Sequence, residues 1–130
     1  MAETFLPLSN ISARYQIIIK SLYKQNNSKN MKITIDETEA RFLVTLDGEM
    51  DTAAAAEAEE LLRPLYKTNG KDVVIECERL EYIASSGLRI LLSILKGAKA
   101  GGSKGLLRHV SDEIKDVFRL TGFISLFDFE

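Results

Sequence analysis

The chain has 130 residues, 45% of them hydrophobic and 28% charged, which is the size and composition of one soluble globular domain. Its formal net charge of −2 argues against a general nucleic-acid binder, because binding to a phosphate backbone needs a basic surface. One cysteine cannot form an intramolecular disulfide, and one histidine argues against a zinc site of histidines and cysteines. Without a run of roughly 18 apolar residues or a secretory signal sequence, the chain is predicted to be cytoplasmic and not to span a membrane.

The first 30 residues form a segment of their own. They carry four basic side chains and one acid in a chain that is acidic overall, and the polar residues 25–30 separate them from the rest of the chain. We therefore predict an N-terminal extension at 1–30 and a domain at 31–130. Such an extension would pack on the domain or on a second copy of the chain, as in a homo-oligomer; alternatively, Met31 is the natural first residue. The apolar spacing in the extension predicts a helix whose apolar side is formed by Ile11, Tyr15, Ile18, Ile19 and Leu22.

From Met31 the apolar residues follow the period of strands. The pattern predicts strands at 32–36 and 42–46, joined by a polar hairpin connection. The sequence DGEMD after the second strand is predicted to form a loop, and Asp51 or Thr52 then caps a helix at about 53–66. Proline lacks an N–H donor and crowds the preceding turn, so Pro64 must kink this helix or end its regular part.

The second half of the chain alternates strands and helices. Strands are predicted at 72–77, 106–107 and 123–129, and the three consecutive apolar residues that begin at Val73 are typical of a strand covered on both faces. Residues 80–83 are predicted to form a short loop before a second helix, and Ser111 is predicted to cap a third. The order β-β-α-β-α-β-α-β predicts an α/β fold. Its sheet is mixed and largely parallel, with an antiparallel first hairpin and the helices mostly on one face.

Two serines, Ser85 and Ser86, stand where the chain enters the second helix. A serine at this point accepts hydrogen bonds from the free backbone amides of the first turn, which is the simpler interpretation. A phosphorylated serine is also compatible with the fold there, because the amides and the helix dipole stabilise an anion by roughly 0.3–1 kcal/mol per favourable interaction. The residues by themselves leave both interpretations open.

Three short motifs accompany these elements. GEMD stands at 48–51, ASSGL at 84–88 and VFRLTGF at 117–123. Together with the order of the elements, they resemble the sulfate-transporter and anti-sigma-factor antagonist (STAS) domain over about residues 31–130. More narrowly, they resemble the single-domain bacterial anti-sigma-factor antagonists. The sequence departs from that family at Ala84, where the family has an acidic residue before the serine.

This resemblance implies a regulatory binding protein. The first hydroxyl of the family motif is the phosphorylated one, which corresponds to Ser85, with Ser86 as the second choice. In the family the anti-sigma factor is itself the serine kinase, it releases the phosphorylated antagonist, and a separate serine phosphatase restores binding. The resemblance therefore implies an anti-sigma-factor antagonist with no catalytic residue, cofactor or metal of its own. The partner-binding residues that it implies are Gly48, Glu49, Asp51, Ala84, Ser85, Ser86, Gly87 and Arg89.

Alternatives stay open at individual residues. Ala84 in place of the acid also fits an unphosphorylated STAS scaffold or adaptor in a sensory or lipid-transport assembly. Arg89 either pairs with a phosphate or belongs to a solvated stripe with Ser93 and Lys96. Asp51 either caps the first helix or contributes to the interaction surface.

Enzymatic chemistry finds no support in the sequence. No Gly-rich phosphate loop ending in Gly-Lys-Ser occurs, so any ATP must come with a partner. His109 has no acidic or cysteine partner at a recognisable motif spacing and is predicted to be a surface residue. Cys77 ends an apolar strand and is predicted to be a core residue.

Overall fold

The computed structural model describes residues 12–15 and 31–130. One five-stranded sheet, three α-helices and two short 3-10 turns account for the described residues. In chain order they are β1 (Ser12–Tyr15), β2 (Met31–Thr38), β3 (Arg41–Met50), α1 (Thr52–Leu62), a 3-10 turn (Arg63–Tyr66), β4 (Asp72–Ile83), α2 (Ser85–Ala100), β5 (Gly105–Arg108), α3 (Asp112–Leu120) and a second 3-10 turn (Ile124–Leu126).

The sheet has the strand order β1-β2-β3-β4-β5. Its first two pairings, β1 with β2 and β2 with β3, are antiparallel, and the next two, β3 with β4 and β4 with β5, are parallel. The predicted mixed sheet with an antiparallel first hairpin is therefore confirmed.

The helices cover one face of this sheet. Ile35, Val44, Ile75 and Leu107 oppose one another across four adjacent strands, and all four are buried. The buried residues of all three helices belong to the same apolar cluster as this row, which confirms the predicted one-sided arrangement. Val74 points to the opposite face and is also buried, as the prediction of a strand covered on both faces requires.

The N-terminal extension differs from the prediction where the structure describes it. Residues 12–15 form a strand, paired with β2 from Ser12 opposite Thr38 to Tyr15 opposite Ile35, so the predicted helix is wrong at these four residues. The outer edge of β2 offers a row of backbone donors and acceptors, and pairing with them satisfies the backbone of β1. Ile11 and residues 16–22 of that helix lie outside the described residues.

The two strands that lead into helices are longer than predicted. β3 continues to Met50 through the loop predicted at 47–51, and β4 continues to Ile83 through the loop predicted at 80–83. The pairing continues through two register shifts, between Thr45 and Asp47 and between Gly48 and Glu49, and at each shift β4 contains one extra residue. Gly48 has a φ of +118°, which is accessible to glycine. The last predicted strand is wrong except for one parallel bridge between Leu107 and Phe129.

Aromatic packing explains why the C-terminal segment does not form a longer strand. Phe118 of α3 contacts the rings of Phe127 and Phe129, with centroids 4.9 and 5.7 Å away. The segment therefore packs against α3 and meets β5 at Leu107, whose N–H donates to the carbonyl of Asp128 at 2.9 Å and whose carbonyl accepts from the N–H of Glu130 at 2.8 Å. The other local signals are confirmed, since Ser111 caps α3 and the regular part of α1 ends two residues before Pro64.

Candidate functional site

Two connections from a strand to a helix lie side by side at the carboxyl edge of the parallel strands. β3 is followed by α1, and β4 is followed by α2. Met50 and Ile83 are paired across the two strands, and the N–H of Ala84 donates to the carbonyl of Met50 at 2.9 Å. Residues 48–51 and 84–87 are therefore neighbours, so the fold joins the two segments in which most of the predicted partner-binding residues lie.

The start of α1 is capped as predicted. Asp51 is the N-cap, and its Oδ1 accepts a hydrogen bond of 2.8 Å from the N–H of Ala54. The side chain satisfies one of the amides that a helix start leaves without a partner. The further role of Asp51 in an interaction surface stays a prediction.

The start of α2 is not capped by a side chain. Ala84 occupies the N-cap position with extended backbone angles, and the two serines occupy the first and second helical positions. The interpretation of these serines as caps is therefore wrong. The N–H groups of Ser85, Ser86 and Gly87 precede the first possible intrahelical bond, which Leu88 makes to the carbonyl of Ala84 at 3.1 Å.

The two serines have different environments. Ser85 is exposed, whereas Ser86 is partly buried. The hydroxyl oxygen of Ser86 is fully buried and has no hydrogen-bond partner among the described residues. Helical serines usually donate to the carbonyl three or four residues earlier, but for Ser86 those residues still belong to β4.

Gly87 allows α2 to begin directly above the strand ends. A Cβ atom at this position would lie 2.8 Å from Cγ1 of Ile83 and 2.9 Å from Sδ of Met50. Both neighbours are almost completely buried and have little room to move. The glycine therefore sets how closely the serine-bearing turn approaches the sheet.

A groove runs between α1 and α2 beside this turn. It has a volume of about 310 Å³, and Tyr66 contributes to its lining from the turn after α1. Each helix contributes residues at spacings of three and four. They are Thr52, Ala55, Ala56 and Glu59 from α1, and Ser86, Arg89, Ile90 and Ser93 from α2.

Polar side chains line one part of the groove. Ser93 and Glu59 lie near the Tyr66 hydroxyl. Burial raises the pKa of Tyr66, and the nearby Glu59 carboxylate adds to the rise, while Arg63 opposes it.

Arg89 is exposed and forms no ion pair with any described residue. The groove was not predicted from the sequence, although the run of alanines at 53–56 could have indicated it.

The STAS domain family model matches residues 30–130. The chain belongs to the STAS family. BtrV of Bordetella bronchiseptica, a protein named as an anti-sigma factor antagonist, is 30% identical over 97 residues, covering 75% of this chain and 84% of its own length. The anti-sigma-B factor antagonist of Staphylococcus aureus is 28% identical over 97 residues, covering 75% and 90%.

Solved structures show the same fold. The unphosphorylated form of the anti-sigma factor antagonist SpoIIAA superimposes with a TM-score of 0.61 at 19% identity, covering 75% of this chain and 87% of SpoIIAA. Its phosphorylated form, described as a Bacillus cell fate determinant, has a TM-score of 0.55 at 19% identity and covers 77% of this chain and 90% of that one. At this identity the likeness concerns the fold of the STAS domain.

The remaining candidate residues of this STAS domain have structural roles. Cys77 is 1% exposed, as predicted for a core residue, and burial, followed by the charge of Glu76, raises its pKa to about 12. A thiol with this pKa is a weak nucleophile. His109 is exposed, as predicted, and its Nδ1 lies 2.8 Å from Oε2 of Glu76. This pairing escaped the sequence reasoning because the two residues are 33 positions apart.

Glu76 is held by two basic side chains of the STAS domain. Nε of Arg108 donates to its Oε1 at 2.8 Å, and His109 contacts the other oxygen. Partial burial acts to raise the pKa of Glu76, but these hydrogen bonds outweigh it and lower the pKa below its usual value. Glu78 joins Glu76 and His109 in a group whose potential metal-ligand atoms lie within 4.8 Å of one another, but Glu76 is already paired with the Arg108 guanidinium.

Within the described part of the STAS domain, none of the helices has the length and apolar character needed to cross a bilayer.

Proposed function

We propose that this STAS protein is an anti-sigma-factor antagonist that is switched off by phosphorylation at Ser85. Its partner is an anti-sigma factor with serine kinase activity, which it binds through the neighbouring segments 48–51 and 84–87 together with Arg89. The observation that carries the proposal is the exposed hydroxyl-bearing residue Ser85 at the start of α2, next to the end of β3. The names of BtrV and of the Staphylococcus aureus relative support the same role.

The choice between the two serines rests on access. In the proposed step, the Ser85 oxygen attacks the γ-phosphorus of the kinase's ATP, the hydroxyl proton leaves, and ADP departs. This in-line displacement requires an oxygen that the kinase site can reach. Ser85 is exposed, whereas the oxygen of Ser86 is fully buried. A separate serine phosphatase, using water, returns Ser85 to its hydroxyl form.

The phosphate would act on binding and leave the fold intact. Phosphorylation adds about two negative charges, and the start of a helix tolerates them because its free amides and dipole favour an anion. At a protein interface the same charges must lose water and meet a surface shaped for a neutral serine. The protein thus serves as a substrate and a binding surface in the cytoplasm, with no catalysis, cofactor or metal of its own.

Phosphosite mapping tests this proposal. The full-length protein is incubated with ATP and the kinase encoded beside its gene, and phosphorylated residues are mapped by mass spectrometry. We expect phosphate on Ser85 in the wild type and in Ser86→Ala, and none in Ser85→Ala, which should still bind the partner. Ser85→Asp should weaken partner binding by about tenfold, equivalent to about 1.4 kcal/mol. Phosphate on Ser86 would overturn the assignment.

A second function is favoured by one observation, the alanine at position 84. An acidic neighbour can orient the serine or contact the kinase, and Ala84 does neither. The alternative is an unphosphorylated STAS scaffold or adaptor in a sensory or lipid-transport assembly. No phosphate on either serine, together with stable binding to a partner other than the kinase, would support this alternative.

A further inference from the structure

One exposed aromatic residue lies beside the proposed partner-binding surface. In the part of the chain that the structure describes, three large hydrophobic side chains are exposed, Tyr82, Leu120 and Leu126. Single exposed hydrophobic residues are common, so their location decides whether they point to a function. Leu120 and Leu126 lie at or after the end of α3, whereas Tyr82 lies on β4 just before α2. Tyr82 is 47% exposed, and its side chain makes no hydrogen bond or ring contact with another described residue.

The end of β4 turns two pairs of residues outwards. β4 has one extra residue at each of its two register shifts against β3. The exposed pairs at 78–79 and 81–82 therefore alternate with the buried residues Cys77, Leu80 and Ile83. Bulges of this kind redirect side chains and are frequent next to functional sites.

The second bulge places Tyr82 next to the site. Tyr82 lies opposite Glu49, one of the predicted partner-binding residues, and the next pair along the ladder is Met50 with Ile83. Because successive pairs face opposite sides of a sheet, and Met50 and Ile83 belong to the core beneath the helices, Tyr82 points away from the helices. It precedes Ser85 by three residues, so their Cα atoms are at most about 11 Å apart.

Acidic residues predominate around Tyr82. The charged residues on this part of the face are Asp47, Glu49, Glu78 and Glu81, against Lys32 and Arg79. Glu81 is exposed, directly precedes Tyr82 and forms no ion pair with a described residue. The face of a tyrosine ring attracts a cation, and neighbouring carboxylates add to the attraction. The complement of this surface is therefore a positively charged side chain.

We infer that Tyr82 and Glu81 extend the partner-binding surface from the start of α2 onto the face of the sheet opposite the helices. There they bind a lysine or arginine side chain of the anti-sigma factor, which covers the Tyr82 ring. Tyrosine and arginine are enriched among the residues that carry most of the energy of an interface. The contact lies on the other face of the sheet from α2, so it adds affinity and selectivity and is not itself the phosphorylation switch. This inference rests on the proposed function, which supplies the partner.

Substitution of Tyr82 tests the aromatic contact. Binding of the full-length protein to the kinase encoded beside its gene is measured by calorimetry, with ADP in place of ATP so that Ser85 stays unphosphorylated. We expect Tyr82→Ala to weaken binding by about tenfold or more and Tyr82→Phe to bind as the wild type does, because the ring carries the contact. Leu120→Ala is the matched control, since Leu120 is 87% exposed and lies outside the proposed surface, and it should leave binding unchanged.

Charge reversal tests the chemistry of the partner, and it does so even if Tyr82→Ala fails to fold. Glu81→Lys should weaken binding by about tenfold at physiological salt and by much less at 1 M salt, where the Debye length falls from about 8 Å to about 3 Å. Glu39→Lys is its control, because Glu39 is exposed in the turn before β3, at the far end of that strand from Met50. It should bind as the wild type does at both salt concentrations.

The outcomes separate this inference from the proposed function. A wild type that does not bind the kinase would refute the proposed function. Binding by the wild type that neither Tyr82→Ala nor Glu81→Lys weakens would refute the inference and leave the proposed function standing. A loss in Tyr82→Ala alone would refute the basic partner side chain, and a loss in Glu81→Lys alone would refute Tyr82 as the contact.

Discussion

Replacing Ser86 with alanine should make the protein more stable. The substitution removes a hydroxyl whose oxygen is fully buried and lacks a partner in the part of the chain that the structure describes, and it leaves the Cβ atom in place. Most substitutions at partly buried positions destabilise a protein, so an increase in stability is a distinctive outcome. Ser85→Ala is the matched control, because it makes the same chemical change one position earlier at an exposed residue.

The expected gain in the free energy of unfolding follows from the hydrogen bond that the Ser86 hydroxyl does not make. Leaving a buried hydroxyl without a partner costs about 1–3 kcal/mol, and Ser86→Ala removes this cost. Alanine has a better helix propensity than serine by roughly 0.5 kcal/mol, but this gain is common to both variants. We therefore expect the free energy of unfolding of Ser86→Ala to exceed that of Ser85→Ala by about 1–2 kcal/mol. In a domain of this size the difference corresponds to a rise in Tm of roughly 3–8 °C.

Urea unfolding followed by circular dichroism measures this difference. Equal slopes in urea show that the variants unfold by the same transition, so that the midpoints can be compared. If Ser86→Ala is no more stable than Ser85→Ala, the Ser86 hydroxyl has a hydrogen-bond partner, and the reasoning from an unmade hydrogen bond is refuted.

Three other predictions concern the packing beneath the site, the extension and the paired acid. Gly87→Ala should lower the free energy of unfolding by about 1–3 kcal/mol, because its Cβ would collide with Ile83 and Met50; an unchanged urea midpoint would contradict this. A chain beginning at Met31 should unfold in one cooperative transition and lose less than about 3 kcal/mol, while a larger loss would show that the extension is integral to the domain. The pKa of Glu76 is lowered from 4.5, so its contribution to stability is present above that value and is lost as the pH falls through the lower folded-state pKa. Urea midpoints between neutral pH and pH 3 should therefore decline less steeply for Glu76→Gln than for the wild type, and parallel curves would exclude this group as a cause of acid sensitivity.

Local features of the sequence were sufficient for the order of the elements from β2 to α3 and for the starts of the helices. The N-caps Asp51 and Ser111 and the break at Pro64 were predicted correctly because each acts within one turn of its own position. The motifs at 48–51 and 84–88 identified the two segments that the fold brings together, since consecutive parallel strands place their carboxyl ends at one edge.

Other features of the site depend on residues far apart in the chain, and only the tertiary structure decided them. Residues 12–15 form a strand because β2 offers an open edge, which outweighs their helical spacing. Ser85 and Ser86 are adjacent in sequence and chemically identical, yet the packing of α2 against α1 and the sheet exposes the first and buries the hydroxyl of the second. The sequence determined that two hydroxyls stand at the start of α2, and the packing determined which of them is accessible, because burial is set by neighbours that local sequence patterns do not specify.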